Sequence, residues 1–289
     1  MRKNPGNIEM CRPFVKWAGG KRQLVEELLR SRPGEYNRFI EPFIGGGALF
    51  FALRPDNAFI SDINEELINI YTVVRDNVDK LIVELKEHEK KYKGGDPQGY
   101  FYDVRNVDRE AGYARWSNVR KATRLIFLNK TCFNGLFRMN SREQFNTPFG
   151  FYVNPAIVDE NNLLACSRVL ASAEIAATGF DHVLNIAQKG DLVYFDPPYV
   201  PLSSTANFTS YTGEGFDLEM QKRLRDVCDQ LDAKEVKWML SNSYTDFVLD
   251  LYKDKYHIRT VEASRAINCK ADKRGKVAEV IVTNYEVFD

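Results

Sequence analysis

A chain of 289 residues, 44% hydrophobic and 28% charged, has ordinary globular composition, which excludes disordered and fibrous classes. Forty lysines and arginines balance forty acids, so a surface coated throughout in basic residues is excluded too. No apolar run approaches the ~18 residues of a membrane span, and the opening MRKNPGNIEMCRP lacks the apolar core of a secretory signal. Cys11, Cys132, Cys166, Cys228 and Cys269 are dispersed with no CxxC pair, which argues against a disulfide framework and against zinc. A reducing, cytoplasmic setting is the expectation.

Residues 37–43 (NRFIEPF) read as a short strand, followed by Gly45, Gly46 and Gly47 and a small helix ALFFAL. Residues 57–61 form a second strand ending at Asp62, and one helix is expected from Asn64 to near Lys91. Strand, glycines, helix, strand and acid, in that order, open a doubly wound α/β sheet. Gly94, Gly95, Pro97 and Gly99 then break the chain, and the next sixty or so residues are helical and loop-like. From Ala173 the alternation returns with AEIAA, DHVLNIA and DLVYF, the last a near-continuous apolar run of the kind buried in a parallel sheet. A helix (DLEMQKRLRDVCDQL), a strand (EVKWMLS), a further helix and two late strands complete the chain. The expected organisation is one sheet domain, residues 1–65 and 166–289, interrupted by an insert over residues 66–165.

Charge is concentrated in that insert. Between Ala111 and Val158 a single acid, Glu143, faces Arg115, Arg120, Lys121, Arg124, Lys130, Arg138 and Arg142. Trp116, Phe127, Phe133, Asn134, Phe137, Asn140, Phe145 and Asn146 are interleaved with them. Cations suit phosphates and planar or amide side chains suit bases, so the segment reads as a footprint for nucleic acid. A solvated helix face is the blander reading.

The glycines at 45–47 do not complete G-x-G-x-x-G, because Phe50 stands where the third glycine belongs. A pyrophosphate needs that close approach; S-adenosylmethionine has no phosphate but has a ribose for which Asp62 supplies an acid. A tight turn with Asp62 capping the next helix fits this piece equally well. AGGK at 18–21 is not a phosphate loop, since Val15 replaces the first glycine and Arg22 the magnesium-binding hydroxyl. The most specific motif is Asp196-Pro197-Pro198-Tyr199, directly after the apolar strand. Ligands bind beyond the carboxyl ends of such strands. A carboxylate and the Pro197 carbonyl can grip both hydrogens of a planar amine while Tyr199 stacks on its ring.

FVKWAGGKRQL (14–24), EPFIGGGALFF (41–51), ISDIN (60–64), CFNGLFRMN (132–140), FNTPFGFY (145–152) and YFDPPYVPL (194–202) together resemble the Dam-type DNA adenine-N6 methyltransferases, of the alpha arrangement with DPPY. The resemblance spans nearly the whole chain, including VTNY near its end. It implies an α/β, Rossmann-like S-adenosylmethionine-dependent methyltransferase sheet with a mainly helical target-recognition insert bearing a β-hairpin. It further implies an adenine-specific enzyme that flips its target out of double-stranded DNA and transfers a methyl group to N6 within GATC, with no metal and no covalent enzyme intermediate.

By the same resemblance, Trp17 and Lys21 look like contacts to the methionine end of S-adenosylmethionine. Phe43, Gly45 and Gly47 look like the cofactor loop, Asp62 like the ribose ligand, and Asp196 and Tyr199 like the acceptor and stacking partner of the extruded adenine. Lys16, assisted by Tyr152, resembles the contact to the first guanine. Phe133 and Asn134 match the hairpin tip that fills the gap left by the flipped base. Leu136 and Pro148 match contacts to a thymine methyl, and Arg138 the arginine that reads guanine. Two departures stand out. Gly179-Phe180-Asp181 inverts the family's Asp-before-Phe order, leaving either Phe180 or Asp181 for the cofactor adenine. Phe151 occupies a hairpin position where relatives carry Arg, which removes a phosphate contact.

The three histidines, His88, His182 and His257, read as structural, and the cysteines as small buried hydrophobes. No Pro-Cys is present for cytosine carbon-5 chemistry. Residues 200–215 are expected to order over DNA, and Lys270, Lys273, Arg274 and Lys276 to line its side of the cleft. A monomer is expected, with a cognate restriction endonuclease as a candidate partner. The alternatives are amino-methylation of cytosine N4 or RNA adenine, and a catalytically idle DNA-binding module of the same fold.

Overall fold

The apolar run before the DPPY turn becomes β4 (Leu192–Phe195), whose four residues are all buried. It pairs in parallel with β1 (Phe39–Glu41) on one side and β5 (Lys237–Ser243) on the other. In the computed structural model, which describes residues 11–21, 23–201, 216–264 and 276–287, these strands sit mid-sheet. With β2 (Ala58–Asp62), β3 (Ala173–Ala177), β6 (His257–Ser264) and β7 (Lys276–Thr283), the seven-stranded order is β3-β2-β1-β4-β5-β7-β6. β7 runs antiparallel to both neighbours. Strand order reverses between β1 and β4, so their carboxyl ends flank the crevice where open α/β sheets bind ligands. Phe43 follows β1 there and Asp196 follows β4.

The chain divides into two compact units, residues 1–20, 45–54 and 64–175 in one, and 21–44, 55–63 and 176–289 in the other. All of residues 66–165 fall in the first unit. Residues 11–20, 45–54 and 166–175, expected with the sheet domain, fall in that unit as well.

In the second unit α8 (Val183–Ile186) lays Val183, and α9 (Leu218–Ala233) Leu224, Val227, Cys228 and Leu231, onto a core that includes Val193, Phe195, Trp238 and Leu240. Its start is fixed by Asp217, whose carboxylate accepts the Met220 N–H at 2.9 Å. Thr245 caps α10 (Asp246–Tyr252) in the same way.

In the first unit the expected single helix after Asn64 is two. Asn77, at φ −140° and ψ 32°, breaks it into α3 (Glu65–Asp76) and α4 (Val78–Gly94). Asn64, not Asp62, caps α3, its side chain accepting the Leu67 N–H at 2.9 Å. α5 (Pro97–Asn106), α6 (Asn118–Thr131) and α7 (Glu160–Leu170) start at Asp96, Ser117 and Asp159, each accepting a first-turn N–H. The expected hairpin is reduced to two isolated antiparallel bridges, Cys132 to Phe149 and Met139 to Phe145. A 3₁₀ turn over Phe133–Gly135 with Asn134 at φ 56° interrupts one arm, and Pro148 has no N–H to give the other.

One member of the basic stretch is withdrawn from solvent. Arg124 is 1% exposed and its guanidinium meets Asp108 at 2.7 Å. It also donates to the carbonyls of Val104 and Arg105. Asp108 in turn accepts the Phe145 N–H at 2.8 Å, tying the bridged arm to this pair. Asp108→Ala would strip a buried guanidinium of its ion-pair partner, at about 3–5 kcal/mol. Urea unfolding should register that loss; a change under 1 kcal/mol would show the pair to be inert.

Candidate active site and recognition arm

Within the second unit the DPPY turn is held by a polar network that the apolar strands carry inward. Ser241, on β5, donates to Asp196 Oδ1 at 3.0 Å and shares a hydrogen bond of 2.8 Å with the Tyr194 hydroxyl on β4. Parallel register sets Tyr194 beside Met239 and Phe195 beside Leu240, so Ser241 lies one step beyond, level with the carboxylate. Asn242 accepts the Val200 N–H, Ser243 donates to the Val200 carbonyl, and Gln221 donates to the Pro198 carbonyl. The turn is thereby fixed on both sides of Asp196. The Tyr199 hydroxyl donates to Glu279 on β7 at 2.8 Å, which orients its ring.

Lys21 completes the cluster. Its ammonium is 2.9 Å from Asp196 Oδ1 and 3.8 Å from the centre of the Tyr199 ring. Burial pushes the Asp196 carboxyl up from its ordinary value, against the Lys21 charge and the Lys21 and Ser241 hydrogen bonds, which lower it. Burial, then the neighbouring Asp196 charge, holds the Tyr199 phenol well above its ordinary range, so it stays neutral.

The aromatic side of this unit is equally defined. Phe43 stacks on Phe180 at 5.4 Å and meets Phe216 edge-on at 5.6 Å. Phe180 is buried, whereas Asp181 pairs outward with Arg223. The inverted order at 179–181 therefore turns the aromatic inward and the acid toward a cation. The Asp62 backbone carbonyl accepts the Thr178 N–H, setting the segment before Phe180 against the end of β2.

In the first unit the Gly45 turn lies against Trp17. Gly45 has φ +45°, and a Cβ there would stand 3.1 Å from Trp17 Cδ1. Gly47, also at positive φ, precedes α2 (Ala48–Leu53), and the Tyr71 hydroxyl donates to the Gly45 carbonyl at 3.0 Å. Trp17 stacks on Phe137 at 4.9 Å.

The bridged arm is assembled around Asn129, which the sequence reading overlooked. Its side chain accepts the Lys16 N–H at 2.8 Å and donates to the carbonyls of Lys16 and Gly135 at 2.8 and 2.9 Å. Gly135 has φ +67°, and a Cβ there would come within 3.0 Å of Lys16 Cβ. The Lys16 ammonium lies 5.4 Å from the Tyr152 ring centre. Phe133 is 46% exposed, with its N–H bonded to the Pro148 carbonyl. Thr147 donates to the Leu136 carbonyl, and exposed Arg138 donates to the Asn146 carbonyl at 3.1 Å. Phe151 is 72% exposed at φ 54°. Lys270, Lys273, Arg274 and Cys269 lie outside the described residues, as do the Lys276 side chain and residues 202–215.

The family described as D12 class N6 adenine-specific DNA methyltransferase matches residues 17–267. The chain belongs to this family. It is 47% identical over 99% of its length to the Type II methyltransferase M1.LlaDCHI of Lactococcus lactis subsp. cremoris, covering 98% of that protein. It is 41% identical to the Type II methyltransferase M.MjaIII of Methanocaldococcus jannaschii, with 95% and 99% of the two chains covered. The DNA adenine methylase of Haemophilus influenzae is 34% identical, over 93% of this chain and 92% of that one. The protein is an adenine-specific DNA methyltransferase, which bears out the resemblance carried by the six motifs. No helix among the described residues is long and apolar enough to cross a membrane, and no group of three His, Cys, Asp or Glu among them is placed to hold a metal.

Of the residues in the methyltransferase's polar network, Gln221, Ser241, Asn242, Ser243 and Glu279 escaped the sequence reading. SNS within the strand KWMLSNS was the available signal, because all three polar residues are buried. Asn129→Ala would leave the Lys16 N–H and two carbonyls without this partner, at about 1–3 kcal/mol for each buried group stranded. Thermal unfolding should fall accordingly; Asn129→Ala melting with the wild type would remove Asn129 from the arm's construction.

Proposed function

We propose that this methyltransferase acts on adenine N6 of GATC in double-stranded DNA, with S-adenosylmethionine as donor and the target base flipped from the helix. The observation that carries the reading is Asp196, fixed at the carboxyl end of β4 by Ser241 and beside the neutral Tyr199 ring. S-adenosylmethionine, when bound, would supply a methyl group on a sulfonium, an electrophile that needs no metal. Asp196 and the Pro197 carbonyl accept the two amine hydrogens, and the nitrogen gains basicity as it leaves conjugation with the ring. Tyr199 stacks on the base.

The residues of the proposed donor site fit such a cofactor. Within the second unit, Lys21 offers a cation to the donor's methionine carboxylate. Phe180, stacked on Phe43, is the better candidate than Asp181 for the cofactor adenine, with Asp62 toward the ribose hydroxyls. For the target sequence, Lys16 and Tyr152 serve the first guanine and Arg138 the second. Leu136 and Pro148 touch a thymine methyl, and Phe133 and Asn134 fill the gap behind the flipped base. Residues 66–165 act as the recognition domain in this reading. Phe151, in place of a cation, lowers affinity more than selectivity.

The reading includes a monomer working in the cytoplasm, a setting supported by the four free, buried thiols at Cys11, Cys132, Cys166 and Cys228. The Type II names of two relatives support a restriction endonuclease as its counterpart.

Methyl transfer from labelled S-adenosylmethionine to duplexes differing only at one base of GATC tests the target. Label should enter adenine in the GATC duplex alone; equal labelling of both would overturn the specificity roles. Asp196→Ala should abolish transfer while cofactor affinity stays within a few-fold of wild type, and normal turnover would sink the mechanism. Arg138→Ala should cost about 1–3 kcal/mol of discrimination at one guanine; a uniform loss across sequences would make it a phosphate contact. Because burial raises the Asp196 pKa, the acceptor protonates at higher pH than an ordinary carboxyl. Transfer should therefore fall on acidification with a midpoint above 3.8, read from kcat/KM against pH.

A further inference from the structure

The target base needs two contacts in the proposed site, a carboxylate oxygen for its amine and the face of the Tyr199 ring. In the structure one group already holds both. Lys21 Nζ is 2.9 Å from Asp196 Oδ1 and 3.8 Å from the Tyr199 ring centre. A stacked base would lie at the van der Waals separation of ~3.5–4.0 Å from that ring. The same nitrogen touches the carboxylate, so it occupies the ring face that adjoins Asp196. A base cannot give its amine to Asp196 and stack on that face while the ammonium remains.

We infer that Lys21 is a gate: it fills the target-base pocket of the free enzyme and leaves when the cofactor's carboxylate offers its charge another partner. The inference rests on the proposed roles of Asp196 and Tyr199 and adds the coupling between the two ligands.

The physical basis is the cost of an unpaired ion. Lys21 is 8% exposed, so its ammonium cannot simply give up Asp196 without a replacement. An anion at the end of the cofactor is such a replacement, and the four-carbon stem lets the charge swing while the backbone stays anchored. That anchor is visible, since the Lys21 carbonyl accepts the Leu24 and Val25 N–H groups at the start of α1 (Val25–Ser31). Once the ammonium has moved, Asp196 keeps its Ser241 hydrogen bond and gains room for an amine donor. Linkage makes the effect reciprocal: the cofactor admits the base, and a seated base favours the cofactor. Coupling of this kind amounts to about 5–150-fold in affinity.

The test uses the whole protein and a GATC duplex whose target adenine lies opposite an abasic site, so that unpairing costs little. Without cofactor the wild type should bind it weakly, and S-adenosylhomocysteine should tighten binding by at least 5-fold. Lys21→Met should bind the same duplex at least 5-fold more tightly than wild type with no cofactor present. The sign is diagnostic, because removing a cation ordinarily weakens DNA binding and a damaged fold does not gain affinity. A control duplex lacking the target base should show no gain. Lys21→Met binding equally or more weakly would overturn the gate, as would equal gains on both duplexes. Should Lys21→Met fail to fold, the wild type decides with 2-aminopurine at the target position. Its fluorescence should rise when S-adenosylhomocysteine is added, and no rise would reject the coupling. Failure of the target reading is a separate result, seen as absent transfer to GATC adenine by the wild type.

Discussion

Everything in the second unit depends on burying β4 on both sides within the sheet. Four apolar-faced residues, Leu192–Phe195, are fully enclosed between β1 and β5, and a parallel pairing of this kind is stable only when covered. The strand therefore cannot slip without exposing its side chains or misplacing them. Its carboxyl end is fixed in consequence, and with it the carboxylate that comes next. The reversal of strand order beside β4 opens the crevice at that point, so one constraint locates both the crevice and Asp196.

Such placement has an electrostatic cost, and the surroundings of Asp196 answer it. Removing a carboxylate from water favours its neutral form, which is the weaker hydrogen-bond acceptor. Ser241 and Lys21 both act in the opposite direction. The serine reaches the carboxylate from the neighbouring strand by register alone. The lysine does so from a segment remote in sequence, with its ammonium shared between the acid and an aromatic face. Tyr199 is steadied at its far end by Glu279, leaving the ring as an unreactive plane.

The first unit follows a different rule, because it has little regular sheet to set its geometry. Two isolated bridges define the arm, and buried polar side chains do the rest. Asn129 uses its acceptor and its amide donors on backbone groups of Lys16 and Gly135, joining a segment near the start of the chain to the arm. Asp108 does likewise between Arg124 and Phe145. An arginine counted among phosphate-seeking cations is thus a structural strut. Charge counted along a sequence does not distinguish an ion facing water from one paired inside.

The sequence by itself determined the family and the order of the sheet's main elements, because both rest on short-range signals. The apolar run into DPPY, the glycines after β1 and the late amphipathic helix are each legible within about fifteen residues. Its local pattern also foresaw Asp196 at a strand end, since a strand and its terminus are contiguous. Only the tertiary structure decided which side chains meet. Lys21 with Asp196, Ser241 with Tyr194, Glu279 with Tyr199 and Asn129 with Lys16 are partners far apart in the chain. It also decided that Phe180 turns inward and Asp181 outward, and that Asn77 splits a continuous helical pattern. Such pairings depend on register, burial and the need to satisfy enclosed polar groups, quantities that exist only once the chain is folded.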